Sequence, residues 1–346
     1  VSARETAADA MGVAWLREIQ TPPARLPKDA PRLNSLFNGA DMRSLPSVAR
    51  WEKYRAQLRQ WWLKFLGYGH LRPPGTLKIE TLAEDRRDGV VRQLVRYEIE
   101  TGWPTEAYVL RPSAGRKKRP GVVVLHSTVS HSIRQPAGIE GRREKAFGWQ
   151  LAQRGCVTIC PRNYLWPTNH KIAAQQEASR FLRGHPESKG MAKMLLDAVV
   201  ALDILARQPD VDGGRLGAVG HSLGAKEVLY LAAFDPRIKV AVSSEGGIGT
   251  RFSNWDAPWY LGDAIRGAGF THEHHELLGM IAPRPFLLLG GDSADGDRSW
   301  PFIESALPAY KLYGEPARLG LFNHRQGHAV PPVAEKRIQE WFDAYL

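Results

Sequence analysis

A short apolar run, Leu216-Gly-Ala-Val-Gly220, leads through Gly220-His221-Ser222-Leu223-Gly224 into Ala225-Lys-Glu-Val-Leu-Tyr-Leu-Ala-Ala233. The first segment suits a strand buried on both faces, and the last is a strong helix former. The chain must therefore turn from strand to helix within a few residues. Strands of this kind belong to parallel sheets with helices on both faces.

The sequence around this turn repeats the alternation. Strands are expected over 121–126, 157–161, 215–220, 238–244, 285–290 and 317–322, and helices over 145–154, 190–207, 225–233, 305–313 and 333–345. That succession specifies an α/β fold, a doubly wound and mostly parallel sheet. Residues 77–83, 91–100 and 106–111 read as a meander at one sheet edge. Upstream, Trp51, Tyr54, Leu58, Trp61, Trp62 and Phe65 recur at helical spacing within 47–65, and Pro73-Pro74-Gly75 closes the stretch. The expected organisation is a helical extension over residues 1–75, packed on a main domain over 76–346. No internal repeat is present.

Composition narrows the function classes. Apolar residues make up 43% and charged residues 24%, enough for a large core and too balanced for global disorder. No apolar run approaches the roughly 18 residues of a membrane span. The net charge of +11 raises nucleic acid as a partner. The basic residues are scattered, however, and the densest knot, Arg116-Lys117-Lys118-Arg119, reads as a solvated turn between strands. No nucleic-acid or membrane partner is expected. Cys156 and Cys160 lie four residues apart on one strand, roughly 13 Å between Cα atoms, which is too far for a disulfide. A chain beginning with Val suggests a removed leader, and hence a secreted or periplasmic setting. Oligomeric state is not encoded in any recognisable way.

The turn at Ser222 carries the chemistry. Gly-x-Ser-x-Gly between strand and helix lifts a serine hydroxyl above the sheet, with helix N–H groups beside it. Such a hydroxyl becomes a nucleophile only when a base takes its proton. In this topology the base follows the last strand, where Phe322-Asn-His324-Arg-Gln-Gly-His328 offers two histidines. His328, just ahead of the final helix, is the candidate, and His324 reads as structural. Two strand ends offer the acid that would orient it. Glu245 follows the strand 238–244, while Asp292, Asp295 and Asp297 follow 285–290, with Asp295 favoured in that group. The sequence leaves Glu245 and Asp295 level. Backbone N–H groups of Leu223 and of the 126–128 loop, Ser127 foremost, are the oxyanion-hole candidates. Arg251, Trp255, Trp259 and Tyr260 fall in the long 246–274 segment above the sheet edge and are candidates to line a pocket. Loop tryptophans (also Trp103, Trp166 and Trp300) would suit stacking on sugar rings if exposed together. His272-Glu273-His274-His275-Glu276 has no zinc-ligand spacing, so neither metal nor other cofactor is expected.

Three segments together resemble the glucuronoyl esterases, carbohydrate esterases with the α/β-hydrolase fold. That family's elbow reads Gly-Cys-Ser-Arg-x-Gly-Lys, against Gly220-His-Ser-Leu-Gly-Ala-Lys226 here. Its acid motif is matched by Glu245-Gly-Gly-Ile-Gly249, 23 residues after Ser222. Its next helix and strand are similar to His275-Glu-Leu-Leu-Gly-Met-Ile-Ala-Pro-Arg-Pro285. The resemblance covers about residues 120–346 and implies an esterase acting on a small or polymeric carbohydrate ester, with Lys226 touching sugar. Leu223 departs from the family's arginine, which removes the cation expected for uronate esters. Acetyl xylan esterase-like and dienelactone hydrolase-like proteins share the elbow and a later Asp. A serine peptidase of the same fold and an inactive carbohydrate-binding homologue are the alternatives.

Overall fold

A computed structural model describes residues 12–37, 47–115 and 117–346. In chain order, α1 is Leu16–Ile19 and α2 Val48–Leu66, followed by β1 Glu80–Arg87, β2 Val90–Glu98, β3 Pro104–Pro112 and β4 Arg119–Leu125. Then come α3 Phe147–Gln153, β5 Val157–Pro161, α4 Ala174–Gly184, α5 Gly190–Ala206, β6 Val211–His221 and α6 Leu223–Phe234. The chain ends with β7 Ile238–Ser244, α7 His275–Ile281, β8 Phe286–Gly290, α8 Trp300–Lys311, β9 Leu319–Asn323 and α9 Pro332–Tyr345.

All nine of these strands form one sheet in the order β1-β2-β3-β5-β4-β6-β7-β8-β9. The expected meander is the antiparallel edge, where β1, β2 and β3 pair in turn and β3 lies antiparallel to β5. From β5 through β4 to β9 every pairing is parallel. The chain leaves β4 to one side to make β5 and to the other to make β6. Loops diverge at that switch and open a crevice above the carboxyl ends of the strands.

The pleat divides each central strand between two cores. Val123, Leu125, Ala218, Ala241 and Leu288 face one cluster with residues of α2, α5, α6, α7 and α8. Val122, Val124, Val219, Val242 and Leu287 face the other, with α1, α3 and α9. Both faces are covered, which explains the near-continuous apolar runs in the sequence.

The described parts of residues 1–75 contribute to both clusters. α2 starts at Ser47, whose hydroxyl accepts from Arg50 N at 3.4 Å, and stops at Gly67 in the left-handed region. Its Trp62 is fully buried and donates from Nε1 to Glu276 Oε2 at 2.8 Å. On the opposite face, Ile19 fits against Gly320 of β9, where an added Cβ would lie 2.3 Å from Ile19 Cγ1. α1 and α4 were not expected from sequence. α1 has one turn, too short for a period, and α4 buries only Ala178 and Phe181. Cys156 and Cys160 are both buried and free. Arg119 of the basic knot begins β4, whereas Arg116 lies outside the described residues. Among the described residues, no helix is long and apolar enough to cross a membrane.

Candidate functional site

The crevice is built around Ser222. It stands between β6 and α6 at φ 59° and ψ −115°, a conformation that costs on the order of 1–3 kcal/mol for a residue with a side chain. Its N–H is held by Ser244 O at 2.8 Å. Two glycines let the turn close. A Cβ on Gly224 would lie 2.0 Å from Leu125 O, and one on Gly220 would lie 2.4 Å from the Gly224 carbonyl. Both distances are far inside van der Waals contact, so a side chain at either position would push the backbone apart. Leu223 is the first residue of α6, and its N–H has no acceptor within the helix.

His328 follows β9 on the loop before α9. Its Nδ1 lies 3.1 Å from Glu245 Oε2, and its ring packs 4.6 Å from that of His221, the residue before Ser222. The His328 carbonyl accepts from Lys145 Nζ at 3.2 Å. Ser222, Leu223, Lys226, Glu245, Trp259 and His328 all line one cavity of about 250 Å³. Three candidates far apart in sequence thus meet because β6, β7 and β9 end on the same side of the sheet.

The two carboxylates that the sequence left level occupy different places. Glu245 is fully buried and accepts from the N–H groups of Gly291 and Ala294 as well as from His328. Asp295 is equally buried but points to the turn after Glu245, accepting from Gly247 N at 2.7 Å, Ile248 N at 2.8 Å and Ser299 Oγ at 2.8 Å. Burial raises its pKa. Asp292 and Asp297 bond Asn323 and pair with Arg325, on the strand end leading to His328. His324 accepts from Gln326 N through Nδ1 and bonds Gly290 O through its own N–H.

Lys226 is the unusual group in the cavity. It is 4% exposed, its Nζ has no hydrogen-bond partner, and burial lowers its pKa to about 7. Its ammonium end sits 3.9 Å over the Trp255 ring and 5.2 Å over Tyr260. Trp255 is therefore a floor beneath Lys226, its own Nε1 donating to Gly247 O at 2.7 Å. Trp259 and Tyr260 reach the cavity wall. Arg251 does not, and faces a separate cleft of about 570 Å³ with Arg32, Phe270 and His272. Trp166 and Trp300 are buried, so these tryptophans do not form a shared exposed platform. Ser127 is buried, and it is Thr128 that lines the cavity. Leu165, Ile172, Ser253 and Asn254 also line it. They come from irregular segments without periodicity or motif, and no sequence signal marks them.

The histidine-rich stretch is engaged internally. His272 stacks on Trp61 and bonds Glu276, His274 bonds Tyr230 and Ile248 O, and Glu273 accepts from Thr250. Among the described residues, no group of three His, Cys, Asp or Glu side chains could hold a metal ion.

Residues 105–255, which run from β3 through the elbow and Glu245, match the model of the Dienelactone hydrolase family. The chain has the α/β-hydrolase fold. YtaP of Bacillus subtilis (strain 168) is 25% identical over 246 residues, 68% of this chain and 80% of that protein. The 4-O-methyl-glucuronoyl methylesterase 1 of Sodiomyces alcalophilus is 27% identical over 166 residues, 38% of this chain and 33% of the relative. Among solved structures, a glucuronoyl esterase from Solibacter usitatus superposes with a TM-score of 0.70 at 17% identity, covering 93% of this chain and 99% of its own. At that identity the likeness is one of fold.

Proposed function

We propose that this chain is a serine-dependent carboxylic ester hydrolase that works through an acyl-enzyme on a carbohydrate-linked ester. The observation that carries this reading is the pairing of Glu245 with His328 in the cavity that Ser222 lines. With Nδ1 held by the carboxylate, His328 keeps Nε2 for the serine proton. Ser222 Oγ attacks the ester carbonyl while His328 takes its proton. Backbone N–H groups, including that of Leu223, hold the oxyanion. His328 then protonates the departing alkoxide, and water repeats the sequence to release the acid and free serine. Asp295 serves as a brace in this scheme, and residues 76–346 form the catalytic unit, with the described residues of the 1–75 extension packed on it.

Carbohydrate as the alcohol or acyl part is supported by Lys226, a buried amine with free hydrogen-bonding capacity beside an aromatic wall. The names of the relatives point the same way, toward glucuronoyl esters. Leu223, where that family has arginine, argues for a broader acyl range that includes acetyl groups. A polysaccharide substrate fits a secreted or periplasmic setting.

The test is Ser222→Ala, assayed on nitrophenyl acetate and on methyl glucuronate, acetylated xylan and feruloyl esters. Loss of at least about a thousandfold in kcat is expected, together with loss of fluorophosphonate labelling. Undiminished turnover would overturn the reading.

A further inference from the structure

The second oxyanion donor is not settled by the position of the loop after β4, because three residues lie there. The hydrogen bonds beneath the loop distinguish them. His126, 3% exposed, bonds in two directions. Its Nε2 lies 3.2 Å from Asn163 N, and its Nδ1 lies 2.8 Å from Ser127 O. A backbone N–H can only donate, so Nε2 must carry the lone pair and Nδ1 the proton. Nδ1 therefore donates to the Ser127 carbonyl. Val129 N donates to the same oxygen at 2.9 Å. Two donors hold that carbonyl toward the protein interior.

A trans peptide is planar, with its C=O and the following N–H pointing opposite ways. Holding Ser127 O inward turns the N–H of Thr128 outward. Thr128 lines the cavity shared with Ser222 and Leu223, and Ser127 does not. The far end of the chain is equally fixed. Asn163 Oδ1 accepts from Leu165 N at 3.0 Å, and its Nδ2 donates to Glu227 Oε1 at 3.0 Å. Glu227 is 2% exposed and belongs to α6, five residues after Ser222. The helix that supplies the Leu223 N–H thus also anchors the loop opposite it. Trp166 closes the arrangement, its Nε1 donating to Val129 O at 2.8 Å and its ring standing edge-on to His126.

We propose that the N–H of Thr128 is the second oxyanion donor, and that His126, Asn163 and Glu227 are positioning residues that aim it from α6. This rests on Ser222 being the nucleophile. Burial supports it by lowering the His126 pKa to about 4 and raising that of Glu227 to about 8. The ring therefore stays in one neutral tautomer across the working range.

The experiment compares His126→Ala, Asn163→Ala, Glu227→Gln and Thr128→Pro with the parent chain on a nitrophenyl ester, alongside inhibition by an alkylboronic acid that forms a tetrahedral adduct on serine. A single lost oxyanion donor costs on the order of 10²–10³ in kcat. His126→Ala is expected to lose about 30–100-fold in kcat, with KM within about twofold and boronate affinity falling in parallel. Asn163→Ala should lose less, and Glu227→Gln, which keeps the acceptor, should match the parent. Should His126→Ala fail to fold, Thr128→Pro removes the proposed donor directly. A folded His126→Ala or Thr128→Pro protein with unchanged kcat and boronate affinity overturns the proposal. An active Ser222→Ala would instead overturn the reading on which it rests, so the two failures are distinct.

Discussion

Glu245 and Asp295 brace each other's loops. Glu245, at the end of β7, accepts the amides of Gly291 and Ala294 beyond β8, while Asp295, beyond β8, accepts those of Gly247 and Ile248 beyond β7. Each carboxylate is buried, and each is satisfied by donors from the neighbouring strand end. Only Glu245 also meets His328, through the same Oε2 that accepts from Ala294. The left-handed backbone at Glu245, φ 54°, turns its side chain across to the β8 loop.

The division of labour predicts separable phenotypes. Glu245→Ala should lower kcat by about 10³-fold or more, since the imidazole loses the partner that fixes its tautomer. Asp295→Asn should lower stability by about 1–3 kcal/mol through broken buried hydrogen bonds, with a smaller loss of kcat. Steady-state kinetics and urea unfolding on both variants check this. A larger kcat loss in Asp295→Asn would reverse the assignment.

Backbone strain at the elbow should be recoverable as stability. Ser222→Ala keeps the unfavourable φ and ψ, whereas Ser222→Gly relieves them. The glycine variant should be more stable than the alanine variant by about 1 kcal/mol, the strain relieved less the extra chain entropy. Thermal unfolding of the two inactive proteins measures the difference, and an alanine variant at least as stable would remove the strain from the account.

Gly224→Ala tests the close approach of α6 to β4. A methyl group 2.0 Å from Leu125 O must push the helix off the strand. Destabilisation by at least about 1–3 kcal/mol is expected, with kcat falling as the Leu223 N–H moves. Denaturant titration and kinetics on a folded variant give both readouts; a neutral substitution would contradict the geometry.

Lys226 should make stability depend on pH. Burial lowers its amine from 10.5 to about 7, so between those values the unfolded chain binds more protons than the folded one. This contribution is fully present above about 10.5 and is lost as pH falls toward 7. Lys226→Met should therefore gain in Tm over the parent as pH is lowered through that window, by a few degrees. A pH-independent difference in Tm would mean that the amine is solvated in the native state.

The sequence by itself determined the α/β class, the places where strands alternate with helices, and the serine that ends one of those strands. These features are local. Continuous apolar runs, a 3.6-residue period in α2 and glycines flanking Ser222 follow from burial and backbone sterics within a few residues. The position of His328 was also legible, because topology places the last strand's loop on the serine's side of the sheet.

Only the tertiary structure shows that Glu245, and not Asp295, lies beside His328, since both follow strands that end at the same edge and both are buried. What separates them is the direction of each side chain across the gap between β7 and β8, a matter of one backbone angle and four amide donors. The same holds for the loop after β4, where Thr128 and not Ser127 lines the cavity, above a His126 ring bonded to Asn163, 37 positions along the chain. It holds too for Arg251, which the 246–274 segment carries into a different cleft from Lys226. Local sequence brings Ser222 and His328 to the crevice; contacts between distant strand ends and loops decide which other residues line it.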